Sequence, residues 1–107
     1  MKLEPNILCF TETWFEEVNS TAYNLDDYTA FHLIRPDRSH GGVTVYVNSK
    51  INAIKIPSWT FINDDIEILT LDVTFETKTY KLCTIYRPQF KYNRINLMFK
   101  QMLNSYV

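Results

Sequence analysis

The sequence is poor in the residue types that mark a zinc site or a disulfide-bonded domain. Its 107 residues include only two cysteines and two histidines. No C-x-x-C pair is present and the histidines lie far from both cysteines, so the sequence contains no zinc-binding pattern. Cys9 and Cys83 both lie in strand-like segments, where we expect buried free thiols in a reducing compartment rather than a disulfide.

Long apolar runs and a strong net charge are also lacking. No segment approaches a membrane span, which needs about 18 consecutive apolar residues, and the N-terminus has no apolar region of a signal peptide. We therefore expect an intracellular protein without a membrane partner. The formal net charge of −1 gives no strong overall attraction to nucleic acid, so any such contact would need a local basic cluster or sequence outside this chain.

The residues that are present suffice for a packed core. Hydrophobic residues make up 46% of the chain and aromatic residues 15%. This composition argues against disorder over most of the length. A chain of this size forms one small domain or part of a larger one.

The apolar pattern predicts strands over most of the chain and a helix near its end. The predicted strands occupy residues 7–12, 28–35, 43–47, 53–56, 66–74 and 79–87. The short connection between the last two predicts a hairpin. Over residues 93–106, apolar side chains recur at the spacing of one helix face, and Asn93 is a plausible N-cap, which together predict an amphipathic helix.

Glu12 is a candidate functional residue because it follows a run of four apolar residues, 7–10. Consecutive apolar positions predict a strand that is buried on both faces. An unpaired carboxylate buried there would cost roughly several kcal/mol, so Glu12 needs a partner or access to solvent. The end of a central strand is also where α/β enzymes place their chemistry. The alternative is a solvent-exposed strand-end residue, or a cap of the turn at 13–16.

Four segments of the chain resemble one known superfamily. They are "PNILCFTETWF", "DDYTAFHLIRPDRSHGGVTVYV", "DIEILTLDV" and "CTIYRPQFK" followed by "LMFKQML". Their order and spacing resemble the endonuclease/exonuclease/phosphatase superfamily, and most closely the apurinic-type endonuclease domain of LINE-type (non-LTR) retrotransposons. The resemblance covers nearly the whole chain.

The resemblance implies an α/β fold, a four-layered sandwich of two mixed sheets with helices outside. Residues 1–107 would be the first part of such a domain, with a largely antiparallel sheet and an outer helix at 93–106. The family's preceding asparagine strand and its downstream G-D-F-N and S-D-H motifs do not occur in this sequence. The chain also starts almost on a strand and stops within the predicted helix, so we expect segments to be missing at one or both ends.

The resemblance also implies Mg²⁺-dependent cleavage of phosphoester bonds. It assigns Glu12 as the metal ligand, and one carboxylate can anchor Mg²⁺ because this ion keeps several waters and binds substrate phosphate. It assigns Tyr86 as the catalytic hydroxyl that contacts the phosphate, although a buried hydroxyl bonded to backbone is a comparable alternative. Arg87 is a weaker candidate for phosphate binding, because the next residue along a strand faces the opposite way.

The implied parent enzyme nicks DNA in the nucleus to prime reverse transcription. This chain lacks the family's water-activating aspartate and phosphate-binding histidine, so we expect it to be inactive alone and to need the missing half-domain to fold. One alternative is a catalytically dead remnant that binds a protein or nucleic acid. Another is a fragment of a superfamily member that acts on phosphoester lipids or nucleotides.

Three further features are interpreted as structural. Glu67, inside an apolar strand, is expected to pair with backbone or with an arginine. Arg35 and Arg38 flank the turn at 36–42 and are expected to lie in an exposed loop, with contact to a nucleic-acid backbone as the alternative. Gly41 and Gly42 are the only glycines, and we expect them to supply the backbone freedom of a tight turn.

Overall fold

The computed structural model describes residues 5–14, 22–35 and 41–87. These residues form seven β-strands and a 3-10 turn at Pro57–Trp59. The strands are β1 (Ile7–Thr11), β2 (Tyr28–Leu33), β3 (Val43–Asn48), β4 (Asn52–Lys55), β5 (Phe61–Ile62), β6 (Glu67–Phe75) and β7 (Lys78–Tyr86). The predicted strands are thus confirmed to within a few residues at their ends, and β5 was not predicted.

The first sheet has three antiparallel strands in the order β1-β3-β2. Val45 on the central strand lies opposite Cys9 of β1 and Phe31 of β2. Because side chains alternate along a strand, the valines at 43, 45 and 47 all face the same side.

The second sheet is built around β6. β7 pairs with β6 along its whole length, and β4 and β5 pair with separate parts of β6. All of these pairings are antiparallel. The predicted hairpin is confirmed, since β6 and β7 are joined by the turn residues Glu76 and Thr77.

The core lies between the two sheets. It is formed by alternate residues of β3 and β6, each at most 1% exposed: Val43, Val45, Val47, Leu69, Leu71 and Val73. Burial of each such side chain contributes about 1.5–3 kcal/mol relative to its exposure. This packing fixes how the ends of the strands from the two sheets face each other.

The predicted α/β class, part of a four-layered sandwich with an outer helix, is wrong. Over residues 5–14, 22–35 and 41–87 the chain forms antiparallel sheets and no α-helix. Every strand pairing within these ranges is antiparallel. The helix predicted at 93–106 lies outside the described residues.

Two further predictions about the first strand and the thiols need correction. β1 is an edge strand, and its residues Cys9, Phe10 and Thr11 are exposed, so it is not buried on both faces. A short apolar run does not distinguish a central strand from a half-covered edge strand. Cys9 and Cys83 are free thiols as predicted, but both are exposed.

Within the described ranges, no helix has the length and apolar character needed to cross a bilayer.

Candidate functional site

The ends of β1 and β7 meet where the two sheets face each other. Glu12 directly follows β1, and Tyr86 is the last residue of β7. The Tyr86 hydroxyl donates a hydrogen bond of 2.6 Å to Oε1 of Glu12, across 74 positions of sequence. The two residues that the resemblance assigns to metal and phosphate are therefore in direct contact. The alternative for Tyr86, a hydroxyl bonded only to backbone, is wrong.

The Tyr86 hydroxyl is held in its protonated form. Burial is the largest cause that raises the pKa of Tyr86, to about 12, followed by the hydrogen bond to Glu12 and the negative charges of Glu12 and Glu67. The positive charge of Arg35 acts in the opposite direction. A phenol with this pKa is neutral at physiological pH, so Tyr86 can donate a hydrogen bond but cannot serve as a base or nucleophile there.

Glu12 lies in an unusual backbone conformation. Its φ angle is +53° and that of Trp14 is +59°, in the left-handed region that residues with a side chain seldom adopt. Each such residue costs on the order of 1 kcal/mol and persists only where the surroundings enforce it. The surroundings here are the Gly41 and Gly42 carbonyls, which accept hydrogen bonds from the backbone N–H groups of Trp14 (2.9 Å) and Thr13 (3.4 Å).

A buried ion pair lies next to this contact. Glu67 is 0% exposed. Its Oε1 accepts a 2.7 Å hydrogen bond from the Gly42 N–H, and its Oε2 accepts one of 2.7 Å from Nε of Arg35. The prediction that Glu67 is structural, with a backbone or arginine partner, is confirmed, and both kinds of partner are present. Because both carboxylate oxygens are engaged, Glu67 does not replace Glu12 as a metal ligand.

Arg35 is the residue that sequence reasoning misplaced. Its side chain is only 8% exposed, so the expected exposed position in a loop is wrong. Beyond Glu67, its Nη2 donates a 2.9 Å hydrogen bond to the carbonyl of Asn63, and its Nη1 lies 3.8 Å from Asp64. The signal that could have found it is Glu67 itself, since a carboxylate in an apolar strand requires a cation. Arg38, the other candidate, lies outside the described residues.

Both glycines are required by their surroundings. The φ angles are +77° at Gly41 and +96° at Gly42, so the prediction of backbone freedom is confirmed. A Cβ atom on Gly41 would lie 2.3 Å from Oε2 of Glu67, and one on Gly42 would lie 2.7 Å from Oγ1 of Thr13. A side chain at either position would therefore collide with the site.

Two open depressions lie at the Glu12–Tyr86 contact, one bordered by Glu12 and the other by Tyr86. One groove, of about 340 Å³, is lined by Phe10, Thr11, Glu12, Thr13, Leu25 and Tyr46. The rings of Phe10 and Tyr46 lie edge to face, with centroids 5.9 Å apart. A second depression, of about 410 Å³, is lined by Thr11, Ile85, Tyr86 and Arg87. Arg87 thus lies on the same side of the site as Tyr86, which keeps its weaker assignment as a phosphate-binding residue open.

The donor set suits Mg²⁺ better than a metal that needs several protein ligands. Among the described residues, no three or more His, Cys, Asp or Glu side chains converge to hold a metal. Glu12 is exposed and its carboxylate borders open surface. Mg²⁺ typically takes one or two carboxylates, and waters and substrate phosphate complete its shell. Among the described residues, Glu12 is the carboxylate that would hold such an ion at this site.

Comparison with known proteins does not assign this chain to a family. No protein-family model matches the chain, and no curated protein matches it significantly.

Proposed function

We propose that this chain supplies the metal-binding and phosphate-binding part of a Mg²⁺-dependent phosphodiesterase that nicks DNA. The observation that supports this most is the 2.6 Å hydrogen bond from the Tyr86 hydroxyl to Glu12. It joins an exposed carboxylate and a neutral phenol at the meeting point of two sheets. A carboxylate for the ion and a hydrogen-bond donor for the phosphate are two groups that phosphodiester cleavage uses.

Glu12 is the residue that would hold the ion. When bound, Mg²⁺ would polarise the scissile phosphate and offset the charge that develops on the leaving oxygen. The backbone around Glu12 is held by Gly41 and Gly42, so the carboxylate is presented without a large rearrangement. Preorganisation of this kind is what electrostatic catalysis requires.

Tyr86 binds and orients the substrate in this proposal. Its hydroxyl remains protonated because its pKa is raised to about 12, so it takes no proton from water. Its single proton is donated to Glu12 in this structure, and it would turn to a phosphate oxygen when the ion and the substrate occupy the site. The depression beside it, lined by Thr11, Ile85, Tyr86 and Arg87, offers room for a phosphate group. Arg87 could add a charged donor at its edge.

The chain is proposed to be inactive on its own. Its sequence contains neither a G-D-F-N nor an S-D-H motif, so the groups that activate water and complete the phosphate site would come from other sequence. Phosphoryl transfer needs the nucleophile positioned and the developing charge stabilised together. With a net charge of −1, much of the affinity for DNA would also come from elsewhere.

A nicking assay tests the catalytic part of this proposal. Supercoiled plasmid is incubated with the purified chain and Mg²⁺, beside the Glu12→Ala variant. We expect the purified chain to nick no more plasmid than the Glu12→Ala variant does. Nicking that disappears with Glu12→Ala would show that this chain contains a complete site, and the proposed incompleteness would be wrong.

A binding experiment tests the metal part without relying on activity. Mg²⁺ is titrated into the chain labelled with [¹³Cζ]tyrosine, and the Tyr86 resonance, assigned with Tyr86→Phe, is followed by NMR. We expect a saturable shift that is lost in Glu12→Gln and kept in Asp72→Asn, a carboxylate paired with Lys81 at 2.6 Å elsewhere on β6. The absence of a Glu12-dependent shift would contradict the assignment of Glu12 as metal ligand.

A binding module without catalysis is the second candidate. The observation that favours it is the apolar lining of the groove beside Glu12, where Phe10 is 47% exposed and Leu25 is 42% exposed. Loss of binding to single-stranded DNA in Phe10→Ser, together with no effect of Mg²⁺ or of Glu12→Gln, would favour this candidate over the phosphodiesterase.

A further inference from the structure

We propose that the buried ion pair of Glu67 and Arg35 is a positioning device for the candidate site. The pair fixes the Gly41–Gly42 loop, and this loop holds the segment that carries Glu12. The Glu12 carboxylate is thereby kept within hydrogen-bond distance of the Tyr86 hydroxyl. That this contact serves phosphodiester cleavage rests on the proposed function, whereas the positioning is tested without metal or substrate.

The first step connects Glu67 to the glycine loop. The carboxylate is 0% exposed and accepts the Gly42 N–H at 2.7 Å through Oε1. A Cβ on Gly41 would lie 2.3 Å from Oε2, so the loop backbone lies directly against the carboxylate. Arg35 holds Oε2 at 2.7 Å, and a buried carboxylate without this cation would be strongly unfavourable.

The second step connects the loop to Glu12. The Gly41 carbonyl accepts the backbone N–H of Trp14 at 2.9 Å. On the other side, a Cβ at Gly42 would lie 2.7 Å from Oγ1 of Thr13. The loop therefore contacts both residues that follow Glu12. Because Glu12 has a φ of +53°, the direction of its side chain depends on this local support.

The third step connects the pair to Tyr86. Tyr86 of β7 lies directly opposite Glu67 of β6 in the strand register. Arg35 follows β2 of the first sheet, so its bond to Glu67 joins one sheet to the other. Both partners of the Glu12–Tyr86 contact are thus placed relative to the same buried carboxylate.

The deciding variant is Gly42→Ala, because it changes no charge and collides with Thr13. The readout is the pKa of Tyr86, followed by NMR of [¹³Cζ]tyrosine over alkaline pH, with circular dichroism to show that the chain stays folded. We expect this pKa to fall by the part that the hydrogen bond and the charge of Glu12 contribute, while the larger part that is due to burial remains. In a Glu12→Gln background, where we expect the contribution of the Glu12 charge to be lost already, Gly42→Ala should lower the pKa no further.

Arg35→Lys is the second variant and decides the matter if Gly42→Ala does not fold. Lysine keeps the positive charge but lacks the planar fork that contacts Glu67 and the Asn63 carbonyl together. We expect a smaller fall of the Tyr86 pKa in the same direction. Two controls on β6 should leave that pKa unchanged: Asp72→Asn, which removes an exposed ion pair, and Val73→Ala, which destabilises the core away from the site.

The results separate positioning from a general role in stability. The proposal is overturned if the folded Gly42→Ala and Arg35→Lys variants keep a Tyr86 pKa of about 12, or if Val73→Ala lowers it equally. A fall that persists unchanged in the Glu12→Gln background would also overturn it. If the expected pKa changes occur but Mg²⁺ does not bind at Glu12, the positioning stands and the proposed function fails.

Discussion

At the level of single residues, the contact between Glu12 and Tyr86 sets where the proton lies. The carboxylate accepts and the phenol donates, and burial together with the nearby negative charge keeps the phenol neutral up to strongly alkaline pH. Arg35 departs from the usual exposure of a charged residue. Its side chain is only 8% exposed and forms an ion pair with Glu67. An arginine at a strand end is usually solvated, so its local sequence gave no sign of this burial.

Removal of the Tyr86 hydroxyl should change how the free energy of unfolding depends on pH in the alkaline range. The pKa of Tyr86 is about 12 in the folded chain against the ordinary 10, so the folded state favours the neutral form. Its contribution is fully present below about pH 10 and is lost as the pH rises toward 12. Urea unfolding at several pH values should therefore show a shallower alkaline loss for Tyr86→Phe than for the parent chain. Equal slopes would contradict the raised pKa.

Loss of the Glu67 charge should be far more costly than loss of an exposed pair. Glu67→Gln leaves the Arg35 guanidinium buried without its counter-ion, for which about 3–5 kcal/mol of unfolding free energy is expected. The matched control is Asp72→Asn on the same strand, where the partner Lys81 is 42% exposed and about 0–1 kcal/mol is expected. Chemical denaturation measures both. A cost below about 1 kcal/mol for Glu67→Gln would mean that water satisfies Arg35.

At the level of secondary structure, the β6–β7 hairpin is the element that sequence patterns predicted best. Its long strands alternate clearly, and the connection is only two residues long, Glu76 and Thr77. The burial of β1 was predicted less well. A run of apolar residues indicates a strand, but it does not indicate how many neighbouring strands or layers cover it. The two-residue β5 is too short to give a periodic signal.

The hairpin turn itself contains an unfavourable residue. Glu76 has a φ of +55°, and a positive φ at the first of two turn residues is typical of the type II′ turn, where glycine is preferred. Glu76→Gly should therefore raise the unfolding free energy by roughly 0.5–1 kcal/mol. Thermal unfolding measures the change, with Thr77→Gly as the comparison, for which we expect no gain. A destabilised Glu76→Gly variant would contradict the strain at this position.

At the level of the whole molecule, the packing of two antiparallel sheets creates the site. Glu12 follows a strand of one sheet and Tyr86 ends a strand of the other, so neither sheet contains the contact by itself. The valines of β3 and the leucines of β6 hold the sheets together. The Arg35–Glu67 pair adds a second link at the end where the site lies.

A cavity between the sheets should destabilise the entire domain. Leu71 is 0% exposed in the core, and Leu71→Ala is expected to cost about 2–5 kcal/mol. The control is Ile54→Ala on the neighbouring β4, where the side chain is 59% exposed and a change within about 0.5 kcal/mol is expected. Denaturant unfolding measures both variants. Similar costs at the two positions would show that the sheets do not share one packed core.

The sequence by itself determined the strands, the β6–β7 hairpin and the need for glycine at positions 41 and 42, because alternation and local backbone preference act between near neighbours. It also singled out Glu12 and Tyr86, through motifs that resemble a known superfamily. Only the tertiary structure decided the strand order within the two sheets, the edge position of β1 and the burial of Arg35. The physical reason is distance along the chain: Tyr86 meets Glu12 across 74 positions and Arg35 meets Glu67 across 32. Such contacts depend on how the faces of two sheets pack, and no local pattern encodes that choice.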